Sequence, residues 1–116
     1  MVLKFMDNIK NDQYYIEKVI GDIETIQKYL GNKSFEEFTN DELLIDAIMF
    51  RLVQMIESIK NISMELKSRT AQIPWGKIMG FRNGIVHEYG ATDYVTVYEI
   101  ITGDLEALKH ALEESL

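Results

Sequence analysis

Apolar residues recur at intervals of three, four and seven along two long stretches of the chain, with polar residues between them. This spacing places the apolar side chains on one stripe of an α-helix and predicts two long amphipathic helices. Gly31-Asn32 ends the first helix as a C-terminal cap does, and Ser34 with Glu37 predicts a short capped connector. The apolar positions are Ile9, Ile16, Val19, Ile23, Ile26 and Leu30 in the first helix, and Leu44, Ile48, Leu52, Met55, Ile59, Ile62 and Leu66 in the second.

The second helix is predicted to begin at a capping box of Thr39 and Glu42 and to continue through Leu66. Because the connector is short, the first two helices should be antiparallel neighbours. The helical pattern breaks at residues 69–72, and Pro74 then stands where the first turn of a helix tolerates proline. A third helix is therefore predicted from this point.

The third helix should run to about Tyr89 and end at Gly90. Residues 94–98 have strand propensity, but a lone strand would have no partner in this chain, so a helix is predicted there. Gly103-Asp104 should break or bend the chain before a last helix that carries Leu105, Leu108 and Leu112. The prediction is an all-α, antiparallel up-and-down bundle of four to five helices, forming one domain over residues 1–116.

Composition narrows the classes of function. The chain has no cysteine and two histidines, His87 and His110, so no metal cofactor is expected. The formal net charge of -7 disfavours broad attraction to nucleic acid or anionic membranes, so any RNA contact should be local. The first residues lack the apolar run of a signal peptide and no stretch is long enough to cross a bilayer. We therefore expect a cytoplasmic protein with no membrane partner.

The third helix has two unlike faces when its residues are placed at about 100° intervals. A glycine inside a helix costs about 1 kcal/mol relative to alanine, so Gly76, Gly80 and Gly84 indicate either the close approach of another backbone or phosphate, or relief of crowding within the bundle. The bulky face contains Trp75, Ile78, Met79, Arg82, Ile85, Val86 and Tyr89, and the bare face contains Gly76, Gly80, Asn83 and His87.

Arg82 and His87 together suit the cleavage of RNA. An imidazole that titrates near neutral pH can remove the proton of a 2′-hydroxyl, which then attacks its own phosphate, and a permanent guanidinium can stabilise the added negative charge. DNA lacks this hydroxyl and would be a poor substrate. Taken alone, Arg82 could instead form a structural ion pair with Glu57 or Asp46, and His87 could bind the last carbonyls of its helix.

The stretch IPWGKIMGFRNGIVHEYG, residues 73–90, resembles the signature of the HepT-like branch of the HEPN superfamily. Arg82, His87 and Tyr89 match its R-x-x-x-x-H-x-Y motif, and the likeness extends over most of the chain. The resemblance implies a compact helical bundle that forms homodimers and acts as a ribonuclease toxin. It also implies a partner, a small MNT-type nucleotidyltransferase antitoxin, that transfers AMP to the motif tyrosine, here Tyr89. Without the resemblance, Tyr89 would be interpreted as packing against Ile85 and Val86 with its hydroxyl in water.

On an ideal helix Arg82 and His87 lie about 140° apart, so one copy of the helix does not easily bring both into a compact site. Packing of the bare face near its twin across a two-fold axis would let both pairs converge in one cleft. Asn83 lies on the face of His87 and could position the substrate or the imidazole, or could be a surface or capping amide.

The leading hypothesis is a metal-independent endoribonuclease toxin with RNA as substrate. The alternatives are a non-catalytic helical module that recruits or regulates a nucleotidyltransferase, and a plain dimerisation domain.

Overall fold

A computed structural model describes residues 2–86 and 93–115 of the chain, with side chains over 11–81 and 93–115. Within these ranges the regular secondary structure is helical, so the predicted all-α, HEPN-like class is confirmed. The elements are α1 Val2–Leu30, α2 Phe35–Thr39, α3 Glu42–Lys60, α4 Met64–Arg69, α5 Trp75–Val86, α6 Tyr94–Glu99, a π-helical segment Ile100–Asp104, and α7 Leu105–Ser115. None of the helices in these ranges combines the length and apolar character needed to span a bilayer.

The helices α1 and α3 form the centre of the bundle and run antiparallel, as predicted. Arg51 on α3 donates a hydrogen bond to Asp22 on α1, with 3.2 Å between Nη1 and Oδ1. Ser63, just beyond the end of α3, donates a hydrogen bond to Asp12 of α1. Later residues at α3 therefore contact earlier residues of α1, as expected for antiparallel helices. Between the two helices lies the apolar stripe read from the sequence, with Ile16, Val19, Ile23, Ile26, Leu30, Leu44, Ile48, Leu52, Met55 and Ile59 all buried.

The connector between α1 and α3 has the predicted capping box. The Ser34 hydroxyl oxygen accepts the backbone N–H of Glu37 at 3.1 Å, and the Glu37 carboxylate accepts the N–H of Ser34 at 3.0 Å. These hydrogen bonds lower the pKa of Glu37 because they favour its charged form. Gly31 ends α1 in the left-handed region with φ 55°, where glycine has no steric penalty. Phe38 of α2 is fully buried in the core.

The capping box predicted for Thr39 and Glu42 is wrong. The N-cap of α3 is Asp41, whose Oδ1 accepts the backbone N–H of Leu44 at 3.0 Å. A carboxylate at this place caps the helix and also meets the positive end of its dipole. Thr39 instead ends α2, and its hydroxyl donates to the carbonyl of Glu36 at 3.1 Å.

The second helix is also shorter than predicted, because α3 ends at Lys60 and not at Leu66. Ser63 starts α4 as its N-cap, and its hydroxyl oxygen accepts the N–H of Leu66 at 3.1 Å. The buried carboxylate of Asp12 accepts both the Ser63 backbone N–H at 2.7 Å and its hydroxyl at 2.6 Å. Ile62 and Leu66 are buried as the apolar spacing predicts. The spacing therefore continues across the boundary between α3 and α4, and the boundary can be recognised only from the N-cap residue Ser63.

Residues 94–98 belong to a helix, as predicted, with Asp93 as its N-cap. A break or bend was predicted at Gly103-Asp104. The helix is not interrupted there, because α6 continues through the π-helical segment into α7. If α6 to α7 is counted as one helix, the described residues form six helices, and the short α2 and α4 account for the excess over the predicted number.

The C-terminal helix α7 also packs on α1. Lys109 lies 3.5 Å from Glu24, and Gln27 donates a hydrogen bond to Glu106, which lowers the pKa of that carboxyl. The apolar side of α7 faces the core and consists of Leu105, Leu108 and Leu112, all buried as predicted. The arrangement leaves α5 packed against α3, next to the π-helical segment.

Candidate active site on the fifth helix

The start of α5, the helix that carries the motif, is fixed by a cluster of contacts with α4. The indole Nε1 of Trp75 donates to the hydroxyl of Thr70 at 3.1 Å, and that hydroxyl donates to the carbonyl of Leu66 at 2.8 Å. The ammonium of Lys67 lies 5.9 Å from the centre of the Trp75 ring, within the range of a cation–π contact. Partial burial lowers the pKa of Lys67. The first turn of α5 therefore has a defined position on the bundle.

The described part of α5 has the two faces that the sequence predicts. Ile78 is buried, and Trp75 and Met79 pack against the core. Gly76 and Gly80 are exposed, and a Cβ added at either position would meet nothing within 4 Å. Among the described residues nothing crowds Gly76, which favours the close approach of another backbone or phosphate over relief of crowding, and the bare face is open to solvent in this part of the chain.

The four predicted site residues lie at and beyond the C-terminal half of α5. Arg82 and Asn83 are part of the helix, one turn after Ile78 and three residues after Gly80 respectively. Their side chains, His87, Tyr89 and the predicted helix end at Gly90 lie outside the described residues. The structure thus positions the helix backbone that carries Arg82 and Asn83, while their roles and those of His87 and Tyr89 stay predictions.

The two carboxylates considered as partners of Arg82 lie at different places on α3. Met55 of α3 and Ile78 of α5 line the same cleft, so the C-terminal part of α3 meets α5. Glu57 belongs to this part, and its Oε2 lies 3.5 Å from the ammonium of Lys60. Asp46 lies nine residues before Met55, which is about 14 Å along a helix. Glu57 is therefore the better placed candidate, and its pairing with Arg82 stays a prediction.

The described residues contain no cluster of histidine, aspartate and glutamate side chains that could hold a metal ion. His110, the second histidine, is exposed on α7, with 3.1 Å from its Nε2 to Glu106 and 3.7 Å from its Nδ1 to Glu113. Both contacts are with residues of the same helix, α7. His110 is thus a natural control for chemistry assigned to His87.

A cleft beside α5 was not predicted from the sequence. It has a volume of about 120 Å³ and lies between α5, the end of α3 and the junction of the π-helical segment with α7. Lys77 of α5 and Asp104 form an ion pair at its rim, with 3.8 Å between Nζ and Oδ2. Lys77 lies within the stretch 73–90 but outside the R-x-x-x-x-H-x-Y motif, and the clearest sequence signal near Asp104 is Gly103, where the sequence predicts a break or bend.

The described residues form an all-α, HEPN-like bundle, and the R-x-x-x-x-H-x-Y stretch of the sequence begins on its helix α5. Residues 19–115 match the ribonuclease HepT-like family, and the chain belongs to this family. A protein of Caldanaerobacter subterraneus subsp. tengcongensis, named as a candidate RNase, is 28% identical over 108 residues, which cover 93% of this chain and 96% of that protein. "Probable ribonuclease HepT" of Thermococcus cleftensis is 27% identical over 100 residues, covering 86% and 91% of the two chains. No solved structure matches the chain.

Proposed function

We propose that the chain is a metal-independent endoribonuclease that acts as the toxin of a HEPN/MNT toxin–antitoxin pair. The observation that carries the proposal is the R-x-x-x-x-H-x-Y motif, which begins on α5 in a chain of the ribonuclease HepT-like family. The names of the relatives, a candidate RNase and a ribonuclease HepT, support RNA as the substrate.

In the proposed reaction, His87 removes the proton from a ribose 2′-hydroxyl, and the oxygen attacks the neighbouring phosphorus. Arg82 stabilises the negative charge that develops on the phosphate oxygens. The bond from phosphorus to the 5′-oxygen breaks, and this oxygen leaves as a hydroxyl after it takes up a proton. The products are a 2′,3′-cyclic phosphate and a 5′-hydroxyl. Because the nucleophile belongs to the substrate, the protein supplies proton transfer and charge stabilisation.

We also propose that the site is completed by a homodimer. Arg82 and His87 are about 140° apart around an ideal helix, which favours a cleft built from two copies of α5. The exposed Gly76 and Gly80 support this arrangement, because they leave room for a second helix to approach the bare face closely. Asn83, on the same face, would position the substrate.

The proposed partner is an MNT-type nucleotidyltransferase that inactivates the toxin by modifying Tyr89. The phenolic oxygen attacks the α-phosphorus of ATP, a phosphodiester bond to AMP forms, pyrophosphate leaves, and the phenolic proton is lost to solvent. The added phosphate and base oppose incoming RNA by charge and by volume.

The ribonuclease is tested by incubating purified dimer, freed of its antitoxin, with RNA in the presence of EDTA. The wild type should cleave, and His87→Ala and Arg82→Ala should each lower the rate at least about 100-fold, as expected for the loss of a general base or of charge stabilisation.

His110→Ala and Arg69→Ala are the matched controls, because both residues are exposed and lie on other helices. They should cleave as the wild type does, with unchanged helical circular dichroism in all four variants. Full activity in His87→Ala, or loss of activity on addition of EDTA, would contradict the proposal.

A further inference from the structure

The cleft beside α5 has an apolar floor and a polar rim. Its floor is formed by buried side chains from four elements and the loop before α5, and its rim by exposed ones. The floor contains Met55, Ile73, Ile78, Ile100, Leu105 and Leu108, and the rim contains Gln72, Pro74, Lys77, Asp104 and Ala107. Among the described residues the exposed rim leaves the cleft open to solvent.

The π-helical segment shapes one wall of this cleft. The backbone N–H of Leu105 bonds to the carbonyl of Ile100, five residues earlier, so these two residues lie one above the other. In a regular α-helix, residues five apart would point about 140° away from each other. The wider turn therefore places both apolar side chains on the cleft floor and leaves Asp104 at its edge. Short π-helical segments of this kind are frequent at functional sites.

The residues around the opening combine an aromatic ring, an anion, a cation and an amide. Phe81 lines the cleft and is half-buried against the core. Lys77 lies one helical turn before Phe81, and its ammonium is 3.8 Å from the carboxylate of Asp104. Gln72 adds an amide at the same rim. An aromatic face with a carboxylate and a cation beside it is suited to a nucleotide, because the base, its amino group and its phosphate each find a matching group.

We propose that this cleft holds one unpaired cytosine of the RNA substrate. The volume of about 120 Å³ is somewhat below the roughly 150 Å³ of an enclosed apolar cavity that holds benzene, and because the cleft is open at its rim it is of the size to take one six-membered ring. The base packs beside Phe81, its N4 amino group donates to Asp104, and Lys77 meets an adjacent phosphate. Aspartate accepting from the cytosine amino group is an established mode of base recognition, whereas uracil has a carbonyl at this position.

The proposal rests on the ribonuclease function, because that function makes RNA the ligand. Phe81 directly precedes Arg82 in α5, so a base in the cleft would place the RNA backbone near the motif helix. With a net charge of -7, the protein holds RNA through such local contacts and not through its overall field. The cleft would then determine which linkage is presented for cleavage.

Binding is measured with 2′-O-methyl RNA hexamers of cytosine, uracil or adenine, which bind without supplying a free 2′-hydroxyl. Fluorescence anisotropy should give a Kd for the cytosine hexamer roughly tenfold lower than for uracil, as one base-specific contact provides. Asp104→Ala should remove this difference, and Asp46→Ala, an exposed aspartate on α3, should retain it. Lys77→Ala should weaken all hexamers alike and reduce the dependence on salt.

Two further variants act on the shape of the cleft. Ala107→Leu, at the exposed rim, and Ala111→Leu, at the lining, should each weaken cytosine binding roughly tenfold, since stacking on Phe81 would be obstructed. Phe81→Ala should do the same, and Phe50→Ala, an exposed aromatic on α3, should not. Ala107→Leu keeps the test informative if the two changes nearer the core disturb folding.

Equal affinity for cytosine and uracil hexamers, or a cytosine preference that survives Asp104→Ala, would overturn the proposal. If the wild type cleaves natural RNA while showing either result, the cleft assignment fails and the ribonuclease stands. If the cleft variants abolish a cytosine preference in a protein that cleaves no RNA, the cleft assignment stands and the ribonuclease fails.

Discussion

Tyr89 stands two residues after His87, where its hydroxyl would border the proposed cleavage site without taking part in proton transfer. If the proposed regulation holds, co-expression with the proposed nucleotidyltransferase partner in the presence of ATP should add AMP to Tyr89, detected by intact-mass and peptide mass spectrometry. The modified protein should not cleave RNA, because the adduct places negative charge and bulk where the RNA phosphates approach.

Tyr89→Phe should remain unmodified and active, whereas Tyr94→Phe, an exposed tyrosine at the start of α6, should be modified like the wild type. AMP found on another residue, or a fully modified protein that still cleaves RNA, would refute this account of regulation.

Asp22 makes stability depend on pH in the direction opposite to most carboxylates. Burial raises its pKa, although the Arg51 guanidinium acts to lower it, and its buried Oδ2 has no hydrogen-bond partner among the described residues. A raised pKa means that the protonated form favours the fold, so the stabilising contribution is complete below the usual aspartate pKa of about 3.9 and is lost as pH rises through the raised pKa. Asp22→Asn should therefore gain stability relative to wild type as pH rises through this window.

Asp93 is a control in which the pKa is shifted in the opposite direction to that of Asp22. Its pKa is lowered by hydrogen bonds from the side chain and backbone of Thr96, so its contribution is lost as pH falls through the lowered pKa. Urea unfolding of Asp22→Asn and Asp93→Asn across acidic pH should show differences from wild type that change in opposite directions. A pH-independent difference for Asp22→Asn would contradict the assignment.

At the scale of the element, α5 carries the dimer hypothesis. A Cβ added at Gly80 would meet none of the described residues within 4 Å, so we expect Gly80→Leu to fold. If a second α5 packs on this face, the added bulk should shift the dimer towards monomer in light scattering. Gly21→Leu is a matched control, since Gly21 is also an exposed helical glycine with nothing within 4 Å, and it should remain dimeric. A wild-type monomer at micromolar concentration would exclude the dimer.

Helical periodicity predicted most of the elements because each one buries a regular apolar stripe. Helical periodicity failed where a single polar contact decides the end of a helix. The end of α3 depends on Asp12, which is 51 residues away from Ser63, and its start depends on Asp41 outcompeting Thr39 as the cap. The π-helical segment could not be recognised from the sequence either, because a glycine such as Gly103 is equally compatible with a break in the helix.

For the candidate site, too, local features could be predicted from the sequence and contacts between distant residues could not. The motif predicts Arg82, His87 and Tyr89 as site residues because their order and spacing are a local feature of the sequence. The cleft beside α5 joins Met55, Lys77 and Asp104, which are far apart in the chain and meet only after folding. Periodicity places each residue on a face of its own helix, but it does not say which two faces will enclose a cavity.

At the scale of the whole molecule, an acidic chain is proposed to bind and cut a polyanion. Weak general attraction to RNA follows from the net charge of -7, so specificity must come from local groups such as Arg82 and the rim of the cleft. The central claim is that the attacking oxygen is the 2′-hydroxyl of the substrate, activated by His87 without a metal ion.

The most direct measurement uses an RNA cleaved at one linkage and a copy in which the nucleotide 5′ to that linkage is 2′-deoxy, both in EDTA. The unmodified RNA should be cut to a 2′,3′-cyclic phosphate and a 5′-hydroxyl, identified by mass spectrometry, and the deoxy copy should stay intact at that linkage. Cleavage of the deoxy linkage by the purified wild type, or a product that carries a 5′-phosphate, would contradict the account.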